Sequence, residues 1–312
     1  MAENTVGTLL ASTEYVWYGN VTATLKTSRG AGVVTAFILL SDVKDEIDWE
    51  FVGAALNDGQ SNYYYQAIPI YTNEQNITAE DTFGTYHTYG VDWNPDSITW
   101  SVDGAPGRTL KRADTWNATD NRYHFPQTPA RIELSLWPAG LPSNGEGTIA
   151  WAGGLVDWSS PDITNVGYYY AMINSVTVQC YSPPSGAAVS GSNSYIYTGE
   201  AGTNNTVEIT NDNTILESFL GTGTNMSVSA PASASTVATV PGLSGAGSGL
   251  NGQRGGSSAS AVSSAGGSAS TGGFHGFSQG GTSGATSPVK KDVLLQGSAF
   301  AVLVAIVGIL AM

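Results

Sequence analysis

Asp45-Glu46-Ile47-Asp48-Trp49-Glu50-Phe51 is the stretch whose reading decides the fold. As a β-strand, with side chains alternating between faces, it sets Glu46, Asp48 and Glu50 on one side and Ile47, Trp49 and Phe51 on the other. The plain alternative is an ordinary strand with a solvated acidic face. Against it, acidic residues are depleted in strands, and like charges sharing one face repel. An arrangement that costs stability points to a functional site. Just upstream, Val33 to Leu40 is an unbroken apolar run, as expected of a strand buried on both faces, and Gly30-Ala31-Gly32 marks the turn before it. Val16, Tyr18, Val21, Thr24 and Leu25 give a partly alternating first strand.

Downstream, Asn62 to Ala67 reads as an aromatic strand, Thr85 to Trp93 alternates, and Ile98 to Val102 runs into an Asp103-Gly104 hairpin turn. Ala130 to Trp137 and Tyr168 to Val178 supply two more strands. Many short strands, regular turn signals and almost no helical periodicity predict an all-β fold of two packed antiparallel sheets. After Cys180-Tyr181-Ser182-Pro183-Pro184 the composition changes, so residues 1–183 are expected to form the folded domain and 184–289 a linker. Tyr195 to Leu220 keeps enough apolar residues for a small β element. From Gly221 to Val289 the only formally charged residue is Arg254, amid Ser, Gly, Ala and Thr. That composition predicts a disordered, O-glycosylated stalk, because it offers too little apolar surface to offset chain entropy.

The chain has 312 residues, 25 acidic and 11 basic, for a net charge of −14. Up to position 183 there are 20 acidic and 8 basic residues, net −12. No basic surface exists to neutralise phosphates, so nucleic acid is excluded as a partner. A neutral polymer is compatible. The start, Met1-Ala2-Glu3-Asn4-Thr5, has neither the basic nor the apolar segment of a secretory signal. The other end calls for secretion: residues 290–312 run from Lys290-Lys291 into an almost wholly apolar tail that ends at Met312 with no basic residue after it. This fits a GPI-attachment signal better than a transmembrane helix, with Ser283 or Gly284 as the attachment residue. The two ends agree only if the true N-terminus lies further upstream. Cys180, the single cysteine, is either the partner of a residue outside this sequence or a lone buried thiol. Glycosylation sequons begin at Asn20, Asn76, Asn117, Asn204 and Asn225, in keeping with an extracellular chain.

On a strand, Glu46 and Glu50 lie about 13 Å apart at Cα, and glutamates leaning together approach the roughly 5–5.5 Å carboxyl separation of a retaining glycosidase. Glu46-Ile47-Asp48-Trp49-Glu50 resembles the E-x-D-x-E signature of family 16 glycoside hydrolases. The longer D-E-I-D-W-E-F-V-G, with Tyr86 to Trp93, Phe125 to Pro129 and Gly147 to Gly154, resembles the fungal Crh branch, the chitin–glucan cross-linking transglycosylases of the cell wall. The resemblance covers about the first 183 residues and implies a concanavalin-like β-jelly roll with a concave sheet forming the substrate cleft. Relative to that family the chain enters late, with one or more strands before Tyr15 expected to be missing.

Carried over by position, Glu46 matches the family's nucleophile, Glu50 its acid/base and a glycan-binding residue, and Asp48 its assisting carboxylate. Trp137 and Thr148 match glycan-binding positions. The physics agrees with three distinct roles, since clustered carboxyls cannot all ionise easily and at least one pKa should rise. Arg131, Glu133, Ser135 and Trp137 share a face by spacing, which makes Arg131 a weaker binding candidate against its reading as a surface arginine. His87 sits in a framework strand of the motif, and Tyr63, Tyr64 and Tyr65 must divide between core and cleft. No His or Cys set has zinc spacing and no glycine-rich phosphate loop follows a strand, so no metal or cofactor is expected. Family 16 jelly rolls often carry calcium, but no acidic loop here identifies such a site. The resemblance implies a monomeric enzyme, tethered to the outer membrane face through GPI, that cleaves chitin and transfers it to β-glucan in the cell wall. A β-glucan or chitin hydrolase, and a catalytically lapsed glycan-binding wall protein, are the alternatives.

Overall fold

The computed structural model describes residues 1–199 and 201–212. The strands are β1 (Thr8–Val16), β2 (Gly19–Lys26), β3 (Val33–Ser41), β4 (Glu46–Val52), β5 (Asp58–Tyr64), β6 (Gln75–Thr78), β7 (His87–Asn94) and β8 (Ser97–Val102). They continue as β9 (Ala105–Lys111), β10 (Trp116–Asn117), β11 (Arg122–Tyr123), β12 (Ala130–Pro138), β13 (Met172–Cys180), β14 (Ala188–Val189), β15 (Ser194–Tyr197) and β16 (Val207–Thr210). Helices α1 (Glu146–Trp151) and α2 (Pro161–Val166) lie between β12 and β13. A six-stranded sheet, in the order β1-β12-β3-β4-β5-β6, faces a five-stranded sheet ordered β13-β2-β7-β8-β9. Every pairing within these two sheets is antiparallel.

Apolar alternation creates the core between them. Ile47, Trp49 and Phe51 of β4 pack there with Phe37 and Leu39 of β3, against Tyr89, Val91, Trp93 and Trp100 of the other sheet. Two indole N–H groups pin the layers together: Trp49 Nε1 donates to the Gly90 carbonyl at 3.1 Å and Trp100 Nε1 to the Asp48 carbonyl at 2.9 Å. Such rings bury a large apolar body while their N–H groups remain satisfied. The run Val33 to Leu40 is buried on both faces as its composition requires, because Ala36, Ile38 and Leu40 form a second apolar patch on the outer face of the six-stranded sheet.

Several boundaries differ from the sequence reading. The first strand, read as one element from Val16 to Leu25, is two. The chain crosses from one sheet to the other at Trp17-Tyr18, where Tyr18 takes a φ of +66° and Trp17 Nε1 donates to the Gln127 carbonyl at 2.9 Å. The residues before Tyr15 include a strand, since β1 pairs with β12 from Thr8 onward. The aromatic strand stops at Tyr64 rather than Ala67, because Gln66 and Ala67 adopt φ of +47° and +58°. The short α1 and α2 gave no periodic signal. The folded unit also continues past residue 183. β14, β15 and β16 form a small sheet whose Val207 and Ile209 enter the main core, and the Tyr195 ring meets Trp17 edge-on at 5.7 Å. The small β element expected within Tyr195 to Leu220 is β15 and β16, but it packs on the main core instead of standing in a linker.

The sandwich is open along one side. β13 is exposed over its whole length, and its register with β2 sets Val176 and Val178 opposite the core-facing Ala23 and Val21. Both valines are nonetheless about 40% exposed, at 39% and 41%, and Leu10 on the edge of the other sheet is 56% exposed. Cys180 ends this strand as an exposed free thiol, which removes the reading of a buried one. Asn20, Asn76 and Asn117 lie on strands, and Asn204 lies in a single 3-10 turn. Asn225, the stalk, Ser283, Gly284 and the apolar tail lie outside the described residues.

Candidate active site

The site is built on the outer face of β4. Antiparallel register lines its side chains up with their neighbours in three rows: Arg131, Leu40, Glu46 and Tyr64; Glu133, Ile38, Asp48 and Asn62; Ser135, Ala36, Glu50 and Gln60. The next row carries Trp137, opposite Val34 and, beyond it, Val52. Strands lie about 4.8 Å apart, so Glu133 stands roughly two strand spacings from Asp48 across Ile38. The acidic face is not solvated. Glu46, Asp48 and Glu50 are buried, with Asp48 fully inaccessible.

Burial sets the electrostatics. It pushes the Glu46 carboxyl up to about 8, with the Glu133 charge adding to the rise and the Asp48 carboxyl working against it. Glu50 also rises to about 8, through burial first and then the charges of Glu46 and Glu74. Asp48 is driven furthest from the ordinary carboxylate range, by burial and by the charges of Glu46 and Glu50 on either side. Repulsion between neighbouring acids in a dry site means that one proton leaves the cluster well before the rest. Glu46 is the group whose ionised form a neighbouring carboxyl stabilises, through Asp48. The three acids therefore titrate as a set, with Asp48 between two glutamates that both rise to about 8. Neither Asp48 oxygen has a partner at ordinary hydrogen-bond distance, so its approach to Glu46 is looser than a formed bond.

Neighbouring elements hold this strand in place. Asp45, immediately before Glu46, is buried and accepts from the Gln127 amide at 2.9 Å, the Thr128 hydroxyl at 2.7 Å and the Gln66 amide at 3.2 Å. Burial lifts its pKa to about 6 against the pull of those donors. Gln66 in turn donates to the carbonyls of Ala201 and Gly202, which ties the small C-terminal sheet to the start of β4.

The binding candidates divide. Trp137 lies in the row next to that of Glu50, and Thr148 is buried on α1. Trp137 Nε1, Thr148 Oγ1 and Glu50 Oε1 are all buried and have no hydrogen-bond partner. A buried polar group of this kind costs about 1–3 kcal/mol. Atoms of this kind are the ones a polar ligand can satisfy. α1 carries Thr148, and the loop after it packs tightly on the sheet: at Gly32 (φ +73°) a Cβ would meet Val156 N at 2.7 Å and Gly140 Cα at 2.8 Å. Arg131, weighed as a surface arginine, is buried. Its guanidinium lies 3.2 Å from Asp42 and over the Tyr15 ring, whose hydroxyl donates to the same Asp42 at 3.0 Å. The three adjacent tyrosines divide as alternation requires, Tyr63 into the core and Tyr64 onto the acidic face, where Asn62 Nδ2 donates to its hydroxyl at 2.9 Å. His87 is framework, bonded to Asp103 at 2.7 Å and to the Glu80 carbonyl at 2.6 Å.

Residues beyond the sequence candidates also reach this face. Glu133 is buried, rises to about 7 through burial, and leaves Oε2 without a partner. Its parity with Arg131 and Trp137 was the available signal. Gln60 joins only through tertiary contact, and Trp151 lay within the Gly147 to Gly154 motif with no role of its own.

The family model for glycosyl hydrolases family 16 matches residues 1–153. A solved structure of apo Crh5 transglycosylase is 30% identical, with a TM-score of 0.55, over 67% of this chain and 86% of that one. The chain belongs to glycosyl hydrolase family 16. Within the family its relatives are Crh proteins. It is 62% identical to Crh-like protein 3 of Botryotinia fuckeliana over 72% of this chain and 51% of that protein. It is 56% identical to Crh-like protein 2 of Aspergillus fumigatus over 75% and 54%. The chain thus spans about half the length of the curated relatives it matches. The Crh5 transglycosylase has also been solved in complex with NAG, and that structure is likewise 30% identical to this family 16 chain.

Proposed function

We propose that this chain is a retaining cell-wall transglycosylase that cleaves chitin and transfers the released piece to β-glucan. The observation that carries the reading is the row of buried acids Glu46, Asp48 and Glu50 with raised pKa values, beside the unpartnered Trp137 Nε1 and Thr148 Oγ1. Ionised Glu46 attacks the anomeric carbon and forms a C–O bond as the glycosidic bond breaks, while the leaving oxygen takes the proton of Glu50. Glu50, now a carboxylate, then takes a proton from an acceptor hydroxyl. That oxygen displaces Glu46 from the anomeric carbon, and both carboxyls return to their starting states. Protonated Asp48 lends its hydrogen to the Glu46 oxygens and keeps the nucleophile's charge localised.

A chitin substrate suits the unpartnered atoms. An N-acetyl carbonyl accepts from an indole N–H and a hydroxyl, the donors that Trp137 and Thr148 offer. Support also comes from the Crh5 transglycosylase, solved with NAG. The glycosylation sequons favour an extracellular wall location, and the tail of residues 293–312 favours a GPI anchor through Ser283 or Gly284. Exposed core-facing Val176 and Val178 favour a further strand closing the open side of the sandwich.

The test incubates the full chain with chitin oligomers and a fluorescent β-glucan oligosaccharide and reads the products by mass. A labelled chitin–glucan hybrid is expected from the parent protein and none from Glu46→Gln, which still binds the oligomer. Shortened chitin alone means hydrolysis, and turnover by Glu46→Gln refutes the nucleophile assignment.

A further inference from the structure

We infer that Trp151, held in orientation by Gln60, is the ring on which a pyranose of the bound glycan stacks, and that Trp137 backs it. The inference rests on the glycan-transfer reading above and extends it to Gln60 and to Trp151, which the Gly147 to Gly154 motif contains without a role assigned to it. Trp137 is 4% exposed, too covered to offer its face to a sugar. What covers it includes Trp151, whose ring lies 6.1 Å away and 26° from parallel. Trp151 is only half-buried, and it is the outer member of the pair.

The geometry is built rather than incidental. Trp151 Nε1 donates to Gln60 Oε1 at 2.8 Å, and Gln60 pairs in register with Glu50. The indole therefore reaches from the Trp137 side of the sheet, on β12, to the row of the acid/base on β5. Its backbone cannot drift, because Gly32 N donates to the Ala152 carbonyl at 2.8 Å and the Gly154 amide donates to the Ile149 carbonyl at 2.8 Å. A β-linked pyranose carries its hydroxyl or acetamido groups equatorially and presents axial C–H bonds to a ring face. Aromatic rings with satisfied N–H groups suit that surface. With its N–H committed to Gln60, Trp151 has only its face to offer, and the buried Trp137 ring supports it from beneath.

The test measures equilibrium binding of chitin oligosaccharides to the full chain in the Glu46→Gln background, where no turnover intervenes. Trp151→Ala is expected to weaken binding about tenfold or more, and Trp151→Phe, which keeps a ring, by only about threefold. Gln60→Leu is expected to weaken binding about threefold by itself and to have no further effect in the Trp151→Phe background, because it acts only through the indole N–H. Melting curves identify any variant that fails to fold, and Gln60→Leu changes the packing volume little. Equal affinity in Trp151→Ala and its parent overturns the inference, as does a Gln60→Leu effect that persists without the indole. If the Glu46→Gln parent itself binds no glycan, the glycan-transfer reading fails instead.

Discussion

Replacing Glu50 with Gln should make the protein more stable at neutral pH while abolishing its chemistry. Glu50 rises from 4.5 to about 8 in the fold, chiefly through burial. An acid of this kind keeps its proton in the folded chain after the unfolded chain has lost it. Stability is therefore unaffected below about pH 4.5 and falls as pH climbs toward about 8. Each pH unit in that window costs about 1.4 kcal/mol per proton. From pH 4.5 to 7 the loss is about 3 kcal/mol. Glutamine is close in shape and does not titrate, so Glu50→Gln should match its parent at pH 4 and exceed it by about 3 kcal/mol at pH 7. For a folded unit of about 200 residues that is a rise in Tm of about 6–12 °C. Denaturant and thermal melts of both proteins at pH 4 and 7 measure the difference directly. Parallel pH dependence in the two would refute the claim that burial holds Glu50 protonated.

Two further outcomes are expected. Cutting the chain after Pro183 removes Val207 and Ile209 from the core and uncovers Trp17, which should cost about 5 kcal/mol at roughly 1.5–3 kcal/mol per buried aliphatic side chain. Unchanged melting of the shortened domain would show that the small sheet only decorates the fold. Deleting residues 293–312 should release the secreted protein into the medium, and continued membrane association after that deletion would rule out the GPI reading.

A site that reduces fold stability at the pH where it works is what retaining chemistry requires. In the proposed mechanism Glu50 must carry a proton at near-neutral pH to protonate a leaving oxygen, and an exposed glutamate would already have lost it. The same dryness that raises its pKa leaves Trp137 Nε1 and Thr148 Oγ1 unpartnered. Glycan binding recovers part of both costs, since it supplies partners to buried polar atoms.

The sequence by itself determined the layer architecture and the acidic row. Period-two alternation in Glu46 to Phe51 leaves one arrangement that buries Trp49 and exposes no apolar face, and a one-residue slip would reverse it. Parity alone also put Glu133 on the face of Arg131 and Trp137. Tertiary structure decided everything that depends on what covers a face. The solvated-face alternative, which the like charges already argued against, was removed only when the fold buried Glu46, Asp48 and Glu50. Arg131 became a buried partner of Asp42 only when β1 brought Tyr15 beside it. Trp151 met Gln60, 91 positions away, because α1 folds back over the sheet. Alternation along a strand is a local property that the order of residues carries outright. Burial, pKa and the partner of a side chain are set by segments distant in sequence, and the packed fold alone brings those together.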